Sequence, residues 1–272
     1  GYRWTNTLNY RLRSGSKHDF NFLVGQEILA LGQGFEEYNR AKYFAENITP
    51  EKLFATMTLG TQDRHTTNEF AGNKIASFFG RAIYQLDNKY IFNLTARYDG
   101  STKFAPGKQW GLFPAASFAW RVSGEDFMED ATFVNDLKLR LSYGTAGNNN
   151  IGNDQWRVLF SPTDNRPIGF GDVAQPYYTF AGNQLPNPDI RWETTITRNI
   201  GLDFTLFRNR LSGTLDFYKN TTKDLLVQSV IPQTTGFTTQ QRNIGQTSNR
   251  GIELALTGNI ISGKDFQLSA NF

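Results

Sequence analysis

The feature that most constrains the fold of this 272-residue chain is a repeated alternation of apolar and polar residues. In the run Leu137–Tyr143, three leucines and a tyrosine alternate with Lys138, Arg140 and Ser142. The run Ile200–Leu206 alternates in the same way. Because successive side chains of a β-strand point to opposite faces, this period predicts strands with one apolar and one polar face.

The alternating runs are long and numerous. About ten of them occur along the chain, and most extend over about 10–14 residues, against about 5–6 in an ordinary soluble sheet. A strand that crosses a bilayer at a tilt needs about 9–11 residues. The sequence therefore predicts an all-β chain that forms a transmembrane antiparallel up-and-down β-barrel. A large soluble antiparallel barrel or sandwich also alternates, and periodicity alone leaves that alternative open.

The predicted links between strands alternate between short and long. Gly15, Asp87-Asn88 and Arg208-Asn209 mark tight turns, since Gly, Asn and Asp adopt turn conformations readily. Between these turns lie long polar links at about 30–72, 99–110, 148–190 and 223–248. Outer-membrane barrels have short periplasmic turns and long extracellular loops, so this asymmetry favours a barrel over a sandwich.

Two segments outside the alternating pattern are predicted to contain helix. From Phe35 to Met57, the spacing of Tyr38, Ala41, Phe44 and Ala45 on one face predicts a short helix within the first long link. The intermediate link 124–136 is expected to hold one helical turn, on the side of the short turns.

The composition argues against several classes of protein. The chain has no cysteine, so neither a disulfide framework nor a thiolate metal site is available. The net charge of +3 and the lack of a dense Lys/Arg block argue against a nucleic-acid partner. No segment approaches the roughly 18–20 apolar residues of a spanning helix. No basic-then-apolar leader begins at Gly1, so no signal peptide is expected in this piece.

Charged residues within the alternating runs are expected on the polar face, which lines the lumen in a barrel. A Lys or Arg on the lipid face near the bilayer midplane costs about 2–4 kcal/mol. The predicted lumen-facing polar residues are Arg97, Lys138, Arg140, Asp203, Asp216 and Glu253. Arg198 is the exception, because it shares the phase of Ile200, and its place toward the outer end of its strand would let it snorkel.

A set of motifs resembles those of one family of outer-membrane transporters. The motifs keep that family's order and cover most of the chain from about residue 70 onward, whereas residues 1–70 fit more loosely. They are Arg97–Phe104, Trp110–Ser117, Leu137–Gly144, Leu185–Thr195, Asn199–Asp203, Thr221–Leu226, Thr235–Phe237 and Asn249–Leu254. As a set they resemble the SusC/RagA family of TonB-dependent transporters.

The resemblance implies a barrel of about 22 strands closed by an N-terminal plug. Residues 1–272 would then be a partial barrel domain of about ten strands, with the plug, the TonB-binding segment and the signal peptide outside this chain. The alternating strand that ends at Phe272 is similar to the C-terminal insertion signal of outer-membrane proteins. A complete ten-stranded barrel is therefore the alternative.

The resemblance also implies a function. Family members import glycans, or peptides in some cases, with a SusD-like lipoprotein, and TonB–ExbB–ExbD energises them through the plug. The implied location is the Gram-negative outer membrane, in contact with its lipid, and no cofactor is expected. Two alternatives are a passive porin-type channel and an outer-membrane hydrolase. The hydrolase would need a nucleophile–base pair facing outward at one rim, and the placement of His18 and His65 argues against it.

Aromatic side chains in a long link are the candidate substrate contacts, because aromatic faces can stack on sugar rings. These candidates are Trp156, Tyr177, Tyr178 and Phe180. The alternative is that they pack the loop against the barrel rim or the lipoprotein lid. No residue is predicted to be catalytic or to bind a metal.

Overall fold

The computed structural model describes the chain except for residues 33, 43–48, 50, 53–60, 71, 171–172 and 263–265. The side chains of residues 39–41, 62–66, 68–70, 162–170, 173–177 and 262 also lie outside the described part. The described residues form mainly strands. No helix among them is long and apolar enough to cross a membrane.

The strands, in chain order, are β1 (Tyr2–Ser14), β2 (His18–Leu31), β3 (Gly34–Lys42), β4 (Thr61–Phe70), β5 (Asn73–Leu86), β6 (Tyr90–Ser101), β7 (Trp110–Arg121), β8 (Val134–Asn148), β9 (Phe160–Phe170), β10 (Val173–Phe180), β11 (Gln184–Leu185), β12 (Glu193–Leu206), β13 (Leu211–Lys223), β14 (Leu226–Val230), β15 (Thr239–Asn243), β16 (Gln246–Ser262) and β17 (Gln267–Asn271). Ten of them form one open sheet in the order β1-β2-β5-β6-β7-β8-β12-β13-β16-β17. Every neighbouring pair in this sheet is antiparallel. The predicted all-β, up-and-down meander of about ten strands is confirmed.

The other strands form small sheets inside the long links. β3 pairs with β4, β9 pairs with β10, and β11, β15 and β14 form a three-stranded sheet. In the segment Phe35–Met57, Glu51 and Lys52 are helical. The helix predicted across Tyr38 and Ala41 is wrong, because both residues lie on β3. Pairing of β3 with β4 overrides the weak helical spacing there. Phe44 and Ala45 lie outside the described residues.

Short turns lie at one end of the sheet and long links at the other. Asp87 and Asn88 both have positive φ, 53° and 54°, which matches the tight hairpin turn that the sequence predicts. The link between β7 and β8 contains two turns of 3₁₀ helix, Val122–Gly124 and Asp126–Met128. The expected helical turn in this link is therefore present.

The register gives the sheet an apolar face and a polar face. One cross-strand row consists of Phe118, Leu141, Ile200, Phe217 and Ile252, on β7, β8, β12, β13 and β16. We call the face that carries this row the apolar face and the opposite one the polar face. Ile252 is 67 % exposed. The Asp216 side chain, on the polar face, is only 16 % exposed. The polar face is therefore the more enclosed of the two.

At the short-turn end of the sheet, two aromatic side chains donate hydrogen bonds to one carboxylate. Glu125 accepts hydrogen bonds from the Tyr90 hydroxyl at 2.6 Å and from the Trp120 indole nitrogen at 2.8 Å. Lys89 Nζ lies 3.3 Å from the second oxygen. The hydrogen bonds from Tyr90 and Trp120, together with Lys89, lower the pKa of Glu125 below its ordinary value despite partial desolvation. Amphipathic rings with satisfied polar atoms are suited to a membrane–water boundary.

Candidate functional site

Four charged side chains form one ion-paired cluster on the polar face. The Arg140 guanidinium lies 2.7 Å from an Asp203 oxygen and 3.1 Å from an Asp216 oxygen. Lys138 Nζ lies 3.0 Å from the other oxygen of Asp203. Gly201 lies between the two arms of the cluster, where a Cβ would come within 2.7 Å of the Arg140 guanidinium carbon. Two cations thus neutralise two carboxylates across β8, β12 and β13.

Arg97 organises a second cluster on β2, β5 and β6. Its Nε lies 2.7 Å from an Asp99 oxygen, and its Nη2 lies 3.4 Å from a Glu27 oxygen. Nη2 also donates a 2.8 Å hydrogen bond to the buried hydroxyl of Ser77. The guanidinium carbon is 5.4 Å from the centroid of the Phe79 ring. Contacts on several sides therefore hold this guanidinium in one position.

The structure puts all six charged residues predicted from alternation on the polar face. They are Arg97, Lys138, Arg140, Asp203, Asp216 and Glu253. Five of them belong to the two clusters. Glu253 is exposed and lies directly opposite Asp216 in the register. The apolar–polar alternation predicted that these six residues share one face of the sheet. The register of the strands shows which of them are in contact.

A buried apolar cluster lies at the long-link end of the sheet. We call it the outer-end core, and it consists of Phe104, Phe113, Ile151, Ile190 and Trp192. Phe104 and Ile190 have no exposed surface. The rings of Phe104 and Phe113 lie 5.2 and 5.4 Å from the Trp192 ring. The cluster joins the link before β7 to the link before β12. Phe104 and Trp192 belong to the motifs Arg97–Phe104 and Leu185–Thr195, and the sequence alone predicted no role for either.

Reciprocal hydrogen bonds join the link before β12 to the link after β13. The Asn243 side chain accepts from the Arg191 amide at 2.9 Å and donates to the Arg191 carbonyl at 2.8 Å. Asn187 donates to the Gln241 carbonyl at 2.8 Å. Parallel pairing of β11 with β15 adds main-chain bonds between the same two links. The bases of these links therefore form one supported structure.

The aromatic candidates differ in how far they reach solvent. Tyr178, on β10, is 67 % exposed. Phe180 is 53 % exposed and lies 5.1 Å from the Phe237 ring. Trp156 is half-buried beside the outer-end core, and its indole nitrogen has no hydrogen-bond partner among the described residues. The side chain of Tyr177 lies outside the described residues. Trp156 therefore packs within the loop base, whereas the Tyr178 side chain is exposed to solvent.

Arg198 is the charged exception that the sequence predicts on the apolar face, and the structure adds two cationic neighbours that were not predicted. Arg198 pairs with Lys219 on β13, and Lys219 pairs with Arg250 on β16. All three side chains are exposed. Lys219 shares the phase of Phe217, and Arg250 shares the phase of Ile252, so strand phase was the signal that could have revealed them. We call these three residues the basic row.

The polar face carries fixed charges and hydrogen-bonding groups. Within the described residues, no group of three or more His, Cys, Asp or Glu side chains could hold a metal ion. His18 Nδ1 lies 2.9 Å from the Tyr84 hydroxyl, at the short-turn end of the sheet. The side chain of His65 lies outside the described residues.

Long antiparallel strands, an enclosed polar face, an exposed apolar face and links that are long at one end only define the wall of an outer-membrane β-barrel. The family model described as TonB dependent receptor-like, beta-barrel matches residues 1–272. The chain therefore belongs to the TonB-dependent receptor β-barrel family, whose SusC/RagA members are outer-membrane proteins of Gram-negative bacteria. The predicted resemblance and location are confirmed.

Similar curated relatives are TonB-dependent receptors, and a similar solved structure is the RagAB peptide importer. The TonB-dependent receptor SusC of Bacteroides thetaiotaomicron is 34 % identical over 265 residues, which cover 94 % of this chain and 24 % of that protein. The TonB-dependent receptor P39 of Formosa agariphila is 33 % identical over 267 residues, covering 98 % and 25 %. The RagAB peptide importer in its closed-closed state superposes with a TM-score of 0.78 and 27 % identity, covering 99 % of this chain and 28 % of that one. The chain spans about a quarter of the length of the curated relatives it matches.

Proposed function

We propose that this chain is part of the barrel domain of an importer that takes glycans or oligopeptides across the outer membrane. In this proposal a SusD-like lipoprotein delivers the solute, and TonB–ExbB–ExbD supplies energy through a plug. The observation that carries the proposal is the pair of ion-paired clusters on the enclosed polar face. Fixed charges and satisfied hydrogen bonds there suit the passage of a hydrated solute. The similarity to a structure described as a peptide importer supports the peptide alternative.

The polar face is proposed to line the lumen. Its exposure to lipid would bring the charges of Arg97, Lys138, Arg140, Asp203, Asp216 and Glu253 into hydrocarbon, at about 2–4 kcal/mol for each cation near the midplane. The apolar face can contact lipid without this cost along the rows that lack charge. The orientation therefore follows from the solvation of these side chains.

Solute contacts are proposed at the aromatic side chains of the long link before β12. Tyr178 and Phe180 present exposed rings there, which can stack on a sugar ring or pack against a peptide side chain. Trp156 and Tyr177 complete the proposed set, with Trp156 supporting the loop base through its contact with the outer-end core. We propose no catalytic role for any of these residues.

The test is energy-dependent uptake by cells that express the full-length protein containing this domain. Labelled oligopeptides and labelled oligosaccharides are supplied separately to wild-type cells and to cells that lack TonB. The proposal predicts that one solute class accumulates and that loss of TonB reduces its uptake at least tenfold. Equal uptake without TonB would assign the protein to passive, porin-type channels. Release of cleaved solute into the medium would support the hydrolase alternative.

A further inference from the structure

We infer that the basic row binds a phosphorylated, acylated lipid of the outer leaflet. The phosphate lies on Arg198, Lys219 and Arg250, and an acyl chain lies in the apolar groove beside them. This inference concerns the outside of the barrel, so it goes beyond the import of solutes. It rests on the register of β12, β13 and β16 and on the groove that adjoins them.

The basic row is a line of like charges without an internal counter-charge. Cross-strand partners have Cβ atoms about 4.5–5.5 Å apart, and like charges in such positions repel. Among the described residues that the register puts on the apolar face of β8, β12, β13 and β16, none is Asp or Glu. The Arg198 guanidinium lies 5.7 Å from the Tyr143 ring, which leaves its charge in place. An external anion is the group that would relieve this repulsion.

The distance of the basic row from the short turns matches the expected position of the lipid headgroups in the outer leaflet. Arg198 lies eight residues before Leu206, the last residue of β12 at the short-turn end. At about 3.3 Å per residue and a tilt of about 40°, the row lies about 20 Å above that turn. The apolar band of an outer-membrane barrel is about 25 Å tall, so the row lies near its outer boundary. The next row outward on the same face consists of Thr145, Ile196, Thr221 and Ser248, so three of its four members are polar.

An apolar groove of about 1000 Å³ begins where the row ends. Its walls include Phe92, Phe118, Leu141, Ile200 and Phe217, and the three basic residues lie at its border. A ligand that fits this site therefore has an anionic group joined directly to an apolar chain. Free phosphate would satisfy the cations and leave the groove exposed. A phosphorylated lipid with its chain in the groove satisfies both.

The test uses the full-length protein, purified in mild detergent and incubated with diphosphoryl lipid A or with its dephosphorylated form. Native mass spectrometry measures the fraction of protein that retains lipid. The variants are Lys219→Gln and the triple change Arg198→Gln, Lys219→Gln, Arg250→Gln. The control is Arg210→Gln, which removes one exposed cation at the opposite end of the β12–β13 hairpin.

We expect the triple variant to retain at least tenfold less diphosphoryl lipid A, and Lys219→Gln about threefold less. Arg210→Gln should match the wild type, and the dephosphorylated lipid should bind the wild type as weakly as lipid A binds the triple variant. Equal retention by the wild type and both variants would overturn the inference, as would equal loss in Arg210→Gln. A photo-crosslinker at position 219 that captures a polypeptide in place of lipid would also overturn it. Lys219→Gln keeps the test valid if the triple variant does not assemble.

Discussion

The Phe113 ring lies directly over Gly147, so that a Cβ on this glycine would overlap the ring. Phe113 belongs to β7, whereas Gly147 lies near the end of β8. The same ring also lies against Gly111, where a Cβ would come within 2.5 Å of it, so the ring reaches the outer-end core because neither glycine carries a side chain. From there it makes an edge contact with Trp192 at 5.4 Å. The packing that joins the long links to the sheet therefore depends on the absence of a side chain at both Gly111 and Gly147.

Gly147→Ala should destabilise the folded protein, because the added methyl group displaces Phe113 from the outer-end core. Overpacking of this kind costs about 1–3 kcal/mol. Urea unfolding of the full-length protein in detergent, followed by tryptophan fluorescence, measures the change. Gly144→Ala on the same strand is the matched control, since its nearest neighbour would be the Ala115 Cβ at 3.4 Å. Phe113→Leu should partly rescue Gly147→Ala, and failure to do so would place the strain elsewhere.

Arg140 and Asp203 should be energetically coupled. Asp203 accepts from Arg140 and Lys138 together, so its loss leaves two neighbouring cations without that carboxylate. A double-mutant cycle with Arg140→Gln and Asp203→Asn should give a coupling of about 1 kcal/mol. The measurement is the unfolding free energy of the four proteins in urea.

The control cycle uses Arg121→Gln and Asp136→Asn. That pair is 3.6 Å apart, and both side chains are more than 40 % exposed. Exposed pairs contribute little, so its coupling should stay below about 0.5 kcal/mol. Equal couplings in the two cycles would contradict the idea that enclosure on the polar face strengthens the first pair.

Glu125 should make stability depend on pH under acidic conditions. Hydrogen bonds from Tyr90 and Trp120, with Lys89, lower the pKa of Glu125 in the folded protein. Its contribution is therefore fully present above the unfolded-state pKa of about 4.3 and is lost as pH falls through the lowered folded-state pKa. Glu125→Gln should be less stable than the wild type at pH 7, and the difference should shrink below about pH 4.

The measurement is the urea midpoint of the full-length protein across a pH series. Glu129→Gln serves as the control, because Glu129 is an exposed carboxylate close by in the same link. A difference between wild type and Glu125→Gln that stays constant from pH 7 to pH 3 would contradict the assignment. The same acid response in the control would do so as well.

Tyr178→Ala should weaken uptake without lowering stability, since this side chain is 67 % exposed. Loss of one aromatic contact worth about 1 kcal/mol corresponds to a rise of about fivefold in the half-saturating solute concentration. Phe127→Ala is the control, because Phe127 is 68 % exposed at the opposite end of the sheet. Concentration-dependent uptake into cells measures both variants. Equal effects of the two substitutions would show that Tyr178 has no specific contact with the solute.

The main sheet was predictable from the sequence because each strand carries its own apolar and polar phase. Period-2 alternation requires only local information, and so does the contrast between tight turns such as Asp87-Asn88 and long polar links. The β3–β4 hairpin was not predicted because β3 lacks a clean alternation, and its partner lies beyond a further stretch of link. The spacing of Tyr38 and Ala41 then favoured a helix that strand pairing overrides.

Contacts between residues that lie far apart in the sequence were harder to predict. Arg140 and Asp216 are 76 positions apart, and only the alignment of β8, β12 and β13 brings them together. The same holds for Gln109 and Trp192, which lie at the bases of different links and are joined by a 2.8 Å hydrogen bond. The apolar–polar phase of a strand identifies the face on which each side chain lies. Contacts along that face depend on how far neighbouring strands are shifted relative to one another.

The two ends of the link before β12 are both fixed in the outer-end core, through Ile151 and Ile190. The segment between them, which includes β9 and β10, is thus fixed to the outer-end core at both of its ends. On the proposed function, changes between these two isoleucines would alter the residues that contact the solute while the strands below keep their register. On the same proposal, solute specificity can be changed by grafting within this segment, provided that β11 and Asn187 keep their bonds to the link after β13.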